Sequence, residues 1–258
     1  MSCARFPIEF EAGGLMARVA FIGRIASVVA PALVGAQWVL AAASSNYWIV
    51  ENSGAPWSLE GNLETATDVR FEVRSGDRAP WDIEHHHAAE RSEMSVRRKQ
   101  PMDQDIWLAF GLMVEPGAKA TGRWSTLGQL HPTTDPGDIS PSPAWEQELA
   151  AGDVFQILVR SKAQKPLTSS PVPKVVFADA AFKRGQVYHF VYRIRYSLAD
   201  GLLQARRDGR QIVNYSGPIG YDEHVGPYFK FGIYREPAPE TLAVHFNNLK
   251  IGDARLVP

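Results

Sequence analysis

The chain has 258 residues, 45% of them hydrophobic and 21% charged, with a formal net charge of −1. That balance fits one globular domain with a full core, and it excludes a global basic field that would hold nucleic acid or a polyanion at long range. The one cysteine, Cys3, precedes a predicted cleavage site, so disulfides and cysteine chemistry are excluded from the mature protein.

Residues 1–43 have the features of a secretory signal peptide. Arg18 and Arg24 lead into an apolar run over residues 25–40, and Ala41-Ala42-Ala43 supplies the small-residue site. Met16 stands just ahead of Arg18 as an alternative start, which would leave residues 1–15 untranslated. A membrane anchor is the competing interpretation; Pro31, Gly35 and the shortness of the run weigh against a permanent span. Cleavage leaves 24 basic and 26 acidic residues in a single domain, residues 44–258, expected to be secreted or periplasmic.

Residues 44–68 are polar with scattered aromatics. Val69, Phe71 and Val73 then alternate with Arg70, Glu72 and Arg74, a half-buried strand closed at Ser75-Gly76-Asp77. Residues 79–90 read as a loop carrying Asp82, Glu84 and the run His85-His86-His87. Strands are predicted over 91–96, 106–114 and 124–131, the last two stopped by Pro116-Gly117 and Pro132. Pro132, Pro136, Gly137, Pro141 and Pro143 make residues 132–144 a long loop. Residues 144–150 suit a short helical turn, residues 154–160 a strand, and residues 162–174 a second Pro/Ser-rich loop. Over residues 187–196, Tyr188, Phe190, Tyr192, Ile194 and Tyr196 alternate with His189, Val191, Arg193 and Arg195. Asp208-Gly209 between two short strands marks a type I′ hairpin. Strands over 228–235 and 242–251 follow. With no convincing helical periodicity and no solenoid repeat, the chain reads as an all-β sandwich, a jelly roll.

Three of these strands carry polar groups two apart, so each set shares one face. They are Arg91 and Glu93; Gln129 and His131; and Tyr228, Lys230, Gly232 and Tyr234, whose opposite face is Phe229, Phe231 and Ile233. A sheet offering these groups to one side predicts a concave substrate groove.

The strings Arg91-Ser92-Glu93-Met94, Gln129-Leu130-His131 and Tyr228-Phe229-Lys230-Phe231-Gly232-Ile233-Tyr234 resemble, in this order, the three motifs of jelly-roll polysaccharide lyases. That group has the concanavalin A-like sandwich and includes alginate lyases of family 7, heparin lyase I and glucuronan lyase. The resemblance runs from about Asn46 to Gly252. It is nearest the heparin lyase I-like group, through Phe71-Glu72-Val73-Arg74 with Gly76-Asp77 and through Gly220-Tyr221. Met94 replaces the usual leucine, and Arg235 stands where alginate lyases carry asparagine, which weighs against alginate as substrate.

The resemblance implies cleavage of a uronate polysaccharide by β-elimination: a base takes the C5 proton, O4 leaves, and an unsaturated uronate forms. The sugar's carboxylate must be neutralised so that the developing dianion is tolerable; Gln129 and Arg91, with His131 alongside, are implied in that role. Tyr234 is the implied acid, and also the base if cationic neighbours such as Lys230 ionise it; His131 is the other candidate base. Glu93 would orient Arg91 or its neighbours, Lys230 and Arg235 would bind substrate, Tyr228 would stack or line the rim, and Gly232 would leave room for the sugar ring. Arg193 and Arg195 either line the groove or face solvent.

Three adjacent histidines cannot easily aim at one ion, so no metal ligands are assigned. No cofactor is required by the sequence, and a calcium requirement stays open. The expected partner is an anionic polysaccharide, with no nucleic acid, no membrane after signal cleavage, and a monomeric state. Two alternatives stand beside the lyase. A glycoside hydrolase would need two carboxylates at a fixed separation, for which Asp82 and Glu84 are nearest. A non-catalytic carbohydrate-binding sandwich would not need Gln129, His131 and Tyr234 together.

Overall fold

The computed structural model describes residues 47–63 and 67–252; the expected signal peptide and Cys3 lie outside the described residues. The elements in chain order are β1 (Trp48–Asn52), β2 (Leu59–Gly61), β3 (Asp68–Val73), the short helix α1 (Pro80–Glu84), β4 (Glu90–Val96), β5 (Asp105–Val114), β6 (Ser125–His131), β7 (Trp145–Ala150), β8 (Val154–Val159), β9 (Ser161–Lys162), β10 (Lys174–Asp179), β11 (Tyr188–Arg195), β12 (Leu202–Arg207), β13 (Arg210–Ser216), β14 (Gly220–Tyr221), β15 (Tyr228–Arg235) and β16 (Leu242–Gly252). Two seven-stranded sheets result, β1-β4-β15-β6-β7-β8-β10 and β13-β12-β11-β5-β16-β3-β2. Their pairings are antiparallel, and β9 and β14 form a small parallel pair. This is the all-β jelly roll that the alternating strands predict.

The core lies between the sheets because period-2 strands send their apolar residues one way. From β15, Phe231 packs edge-on against Phe71 of β3 and Phe246 of β16, at 5.3 and 5.2 Å between centroids. From β7, Trp145 meets Tyr192 of β11 at 4.9 Å. The Tyr192 hydroxyl donates to Gln147 Oε1 across the sheets at 2.7 Å, which satisfies a buried phenol inside the apolar layer. The Asp208-Gly209 hairpin joins β12 to β13 with both residues at positive φ, 52° and 76°, as a type I′ turn requires.

Several expectations are corrected. Residues 144–150 are not a helical turn but β7, a central strand. Its Glu, Gln, Leu and Ala favour helix locally, yet pairing on both sides and burial of Trp145, Gln147 and Leu149 override that preference. Residues 80–84 form α1 instead of continuous loop, with Pro80 starting the helix. Arg193 and Arg195 do not line a groove: they lie on β11 in the second sheet, where both bind Asp105.

Candidate active site

The face of the first sheet turned away from the core is built by β1, β4, β15, β6 and β7 side by side. Register places Glu51 opposite Glu93, Gly232 opposite Glu93 on the other side, Tyr234 opposite Arg91, Lys230 opposite Gln129, and Tyr228 opposite His131. Between Phe231 and Tyr234 the β15–β6 ladder slips by one residue, a bulge that re-aims the end of the strand. Gly232 sits there at φ 129°. A Cβ on it would come within 2.4 Å of the Ser92 carbonyl oxygen and 2.9 Å of the Phe71 ring. The glycine is therefore required by the neighbouring strand and the core, a correction to its expected role of making room for a sugar.

Ion pairs knit the strands together. Arg91, almost fully buried, donates from Nε and Nη2 to both oxygens of Asp82 at 2.8 Å each, and from Nη1 to Glu51 at 2.5 Å and Glu93 at 3.3 Å. Lys230 reaches Glu51 at 2.9 Å and Glu93 at 3.0 Å. Gln129 Nε2 donates to Glu93 Oε1 at 2.6 Å. Glu93 thus binds Arg91, Lys230 and Gln129 at once and fixes their relative positions.

The Arg91 guanidinium lies over the Tyr234 ring at 4.1 Å, and Trp124 packs on the same ring at 5.2 Å. Tyr228 tilts against the His131 ring at 5.2 Å and carries Lys99 over its face at 3.8 Å. The structure accordingly brings Arg91, Glu93, Gln129, His131, Tyr228, Lys230 and Tyr234 to one face. Arg235 is the exception. It alternates to the opposite side of β15, is fully buried, and is held by Glu90 at 2.7 Å, so its expected contact with substrate is withdrawn.

Protonation states follow from these surroundings. Burial raises the Tyr234 phenol above its ordinary value; Arg91 opposes this and does not overcome it, so the residue rests as a protonated acid. Lys230, expected to ionise Tyr234, is instead engaged by Glu51 and Glu93. Burial, and then the Lys230 charge, lower the His131 imidazole to about 4. His131 Nδ1 lies 2.8 Å from the Pro132 carbonyl oxygen. A carbonyl only accepts, so Nδ1 carries the proton and Nε2 keeps a free lone pair.

A family model for polysaccharide lyases matches residues 55–250. The chain belongs to the polysaccharide lyase family. Solved structures share the lyase's fold at low sequence identity. Endo-β-1,4-glucuronan lyase from the fungus Trichoderma reesei superposes with a TM-score of 0.57 at 11% identity, over 85% of this chain and 92% of its own. An alginate lyase from Pseudomonas aeruginosa gives 0.55 at 16%, over 82% and 100%. A family 7 alginate lyase gives 0.55 at 13%, over 81% and 96%. No curated protein matches the sequence.

Four parts of the lyase's site escaped the sequence motifs: Glu51, Asp82, Trp124 and the pair Glu146 and Glu148. Asp82, weighed as a hydrolytic acid, is fully buried and bound at both oxygens by Arg91, while Glu84 is exposed; the two do not form a catalytic carboxylate pair. Among the described residues, no group of three or more His, Cys, Asp or Glu is placed to hold a metal ion. His85 and His87 stack instead on the Trp81 indole at 4.3 and 5.1 Å. No described helix is long and apolar enough to cross a membrane.

Glu146 and Glu148 extend the polar face onto β7. Glu146 is paired with Arg160 at 2.7 Å. Burial, and then the neighbouring Glu146 carboxylate, push Glu148 up to about 8 from its ordinary 4.5. In the unfolded chain this carboxyl ionises first, so the folded state loses stability as pH climbs from about 4.5 to about 8, and the loss levels off above that. At 1.36 kcal/mol per unit, the difference is on the order of a few kcal/mol. Glu148→Gln should therefore unfold at a higher temperature than the parent at pH above about 8, with the gap closing near pH 4; thermal melts across that range measure it.

Proposed function

We propose that this lyase cleaves a uronate-containing polysaccharide by β-elimination, with His131 as the base and Tyr234 as the acid. The observation that carries this is geometric: His131 and Tyr234 stand on one face of the sheet with Arg91, Gln129 and Lys230, and the contact of His131 Nδ1 with the Pro132 carbonyl leaves Nε2 its lone pair. The C5 proton passes to His131 Nε2, the electron pair forms the C4=C5 bond, and the C4–O4 bond breaks as the Tyr234 hydroxyl protonates O4. Arg91, Lys230 and Gln129 donate to the sugar's carboxylate, where the enolate-like charge develops; their convergence on Glu93 supports this. Solvent then restores the proton to Tyr234 and removes it from His131. With base and acid on separate residues, proton and leaving group on opposite faces of the ring suit this site. The fold shared with glucuronan and alginate lyases supports a uronate polymer as substrate, and the expected signal peptide supports export as its place of action.

The test is a panel of glucuronan, alginate, heparin-like chains and acidic exopolysaccharides, followed by ultraviolet absorbance of the new double bond. Absorbance growing with at least one polymer is expected. Reducing ends without absorbance mean hydrolysis, and binding with neither means a lectin-like module; either result overturns the proposal. With a responsive polymer, kcat/KM should hold as pH falls through 6.5 and decline only as His131 protonates at about 4. A decline centred near 6.5 would refute the buried surroundings assigned to His131, and His131→Asn retaining activity would remove it from the role of base.

A further inference from the structure

The cations that should receive a sugar carboxylate are already occupied. Arg91 and Lys230 face three carboxylates, Asp82, Glu51 and Glu93, and His131 is neutral above about 4. The cluster thus carries one excess negative charge before any substrate arrives. Adding a uronate would make the excess two in a mostly buried site, which like-charge repulsion opposes. Exchanging one carboxylate for another would leave the count unchanged.

The three are not equally held. Asp82 and Glu93 have side chains 0% and 1% exposed, and each is fixed by several donors. The Glu51 side chain is 26% exposed and stands on β1, the edge strand of the sheet. It holds both cations through a single oxygen, Oε2, at 2.5 Å from Arg91 Nη1 and 2.9 Å from Lys230 Nζ. It also lies opposite Glu93 in register, a like-charge pairing that only the cations make tolerable.

We propose that Glu51 fills the place of the substrate's carboxylate in the free enzyme, and that binding exchanges the two. The uronate takes the Arg91 and Lys230 contacts while the Glu51 carboxylate swings out to water. Glu51 is then a specificity-determining residue. A neutral sugar offers those cations nothing equivalent and leaves Glu51 in place; an anionic one displaces it. This inference rests on the uronate assignment above.

Glu51→Gln keeps the shape and removes the competing charge; Glu51→Asp keeps the charge on a side chain too short to bridge both cations. On the polymer that wild type cleaves best, KM is expected to fall by about tenfold in Glu51→Gln and by less in Glu51→Asp, a tenfold change corresponding to about 1.4 kcal/mol. Calorimetric binding of an oligouronate in a Tyr234→Phe background should tighten by the same factor, while a neutral oligosaccharide of matched length gains nothing. If both variants bind more weakly or equally, Glu51 only positions Arg91 and Lys230 and the exchange is refuted. Wild type forming no unsaturated product on any uronate polymer would refute the elimination chemistry instead, and the calorimetric arm would still decide the exchange.

Discussion

Tyr234→Phe should lower kcat by about 10²–10⁴-fold, the range for losing a positioned proton donor, while the dissociation constant for the polymer changes little. The expectation comes from what the ring already does. Arg91 lies over its face and Trp124 packs beside it, and phenylalanine keeps both contacts. Only the hydroxyl disappears, and with it the proton that the proposed elimination delivers to O4. Burial raises the phenol above its ordinary value, so the enzyme starts its cycle with that proton in place. Initial rates by absorbance, with binding to the intact polymer measured separately, give the two quantities. Activity within tenfold of wild type would assign the donor elsewhere.

Asp82→Ala should have the largest effect on stability of any change in the site. Asp82 is fully buried and neutralises Arg91 through two hydrogen bonds of 2.8 Å. Removing it leaves the buried Nε and Nη2 donors of Arg91 without an acceptor, and losing two charge-assisted hydrogen bonds costs about 3–5 kcal/mol. For a domain of this size that corresponds to a drop on the order of 10 °C in Tm. The remaining partners of Arg91, Glu51 and Glu93, pull its guanidinium away from α1, so kcat/KM should fall as well. Asp82→Asn retains one acceptor and should lie between the two. Thermal melts read beside product formation separate the structural loss from the catalytic one.

Period-2 alternation explains why so much of the site was legible beforehand. In β4, β6 and β15 the polar residues recur two apart, so their common face could be read without coordinates, and the Asp208-Gly209 turn followed from its need for positive φ. The same rule, carried one residue further along β15, puts Arg235 on the core side. What could not be read were partners set by tertiary pairing. Glu51 meets Lys230 across 179 positions and Arg91 across 40, and no local pattern in the polar N-terminal stretch marks it. Asp82 reads as a loop carboxylate, at most one of a hydrolytic pair, because its guanidinium partner comes from the next strand. β7 is not legible for a related reason, since its local preference is helical and only its neighbours make it a strand.

The position of β15 has a kinetic corollary. It is the last but one of the described strands, yet it lies inside the first sheet, hydrogen-bonded to β4 on one side and β6 on the other. Until it is made and inserted, both of those neighbours present bare edges of the kind that recruit other chains, and such long-range closure is slow. A nascent polypeptide stalled between residues 131 and 228 would hold Arg91, Glu93, Gln129 and His131 on a split sheet, without Tyr228, Lys230 and Tyr234. Chaperone dependence during synthesis should consequently be greatest just before residues 228–235 emerge.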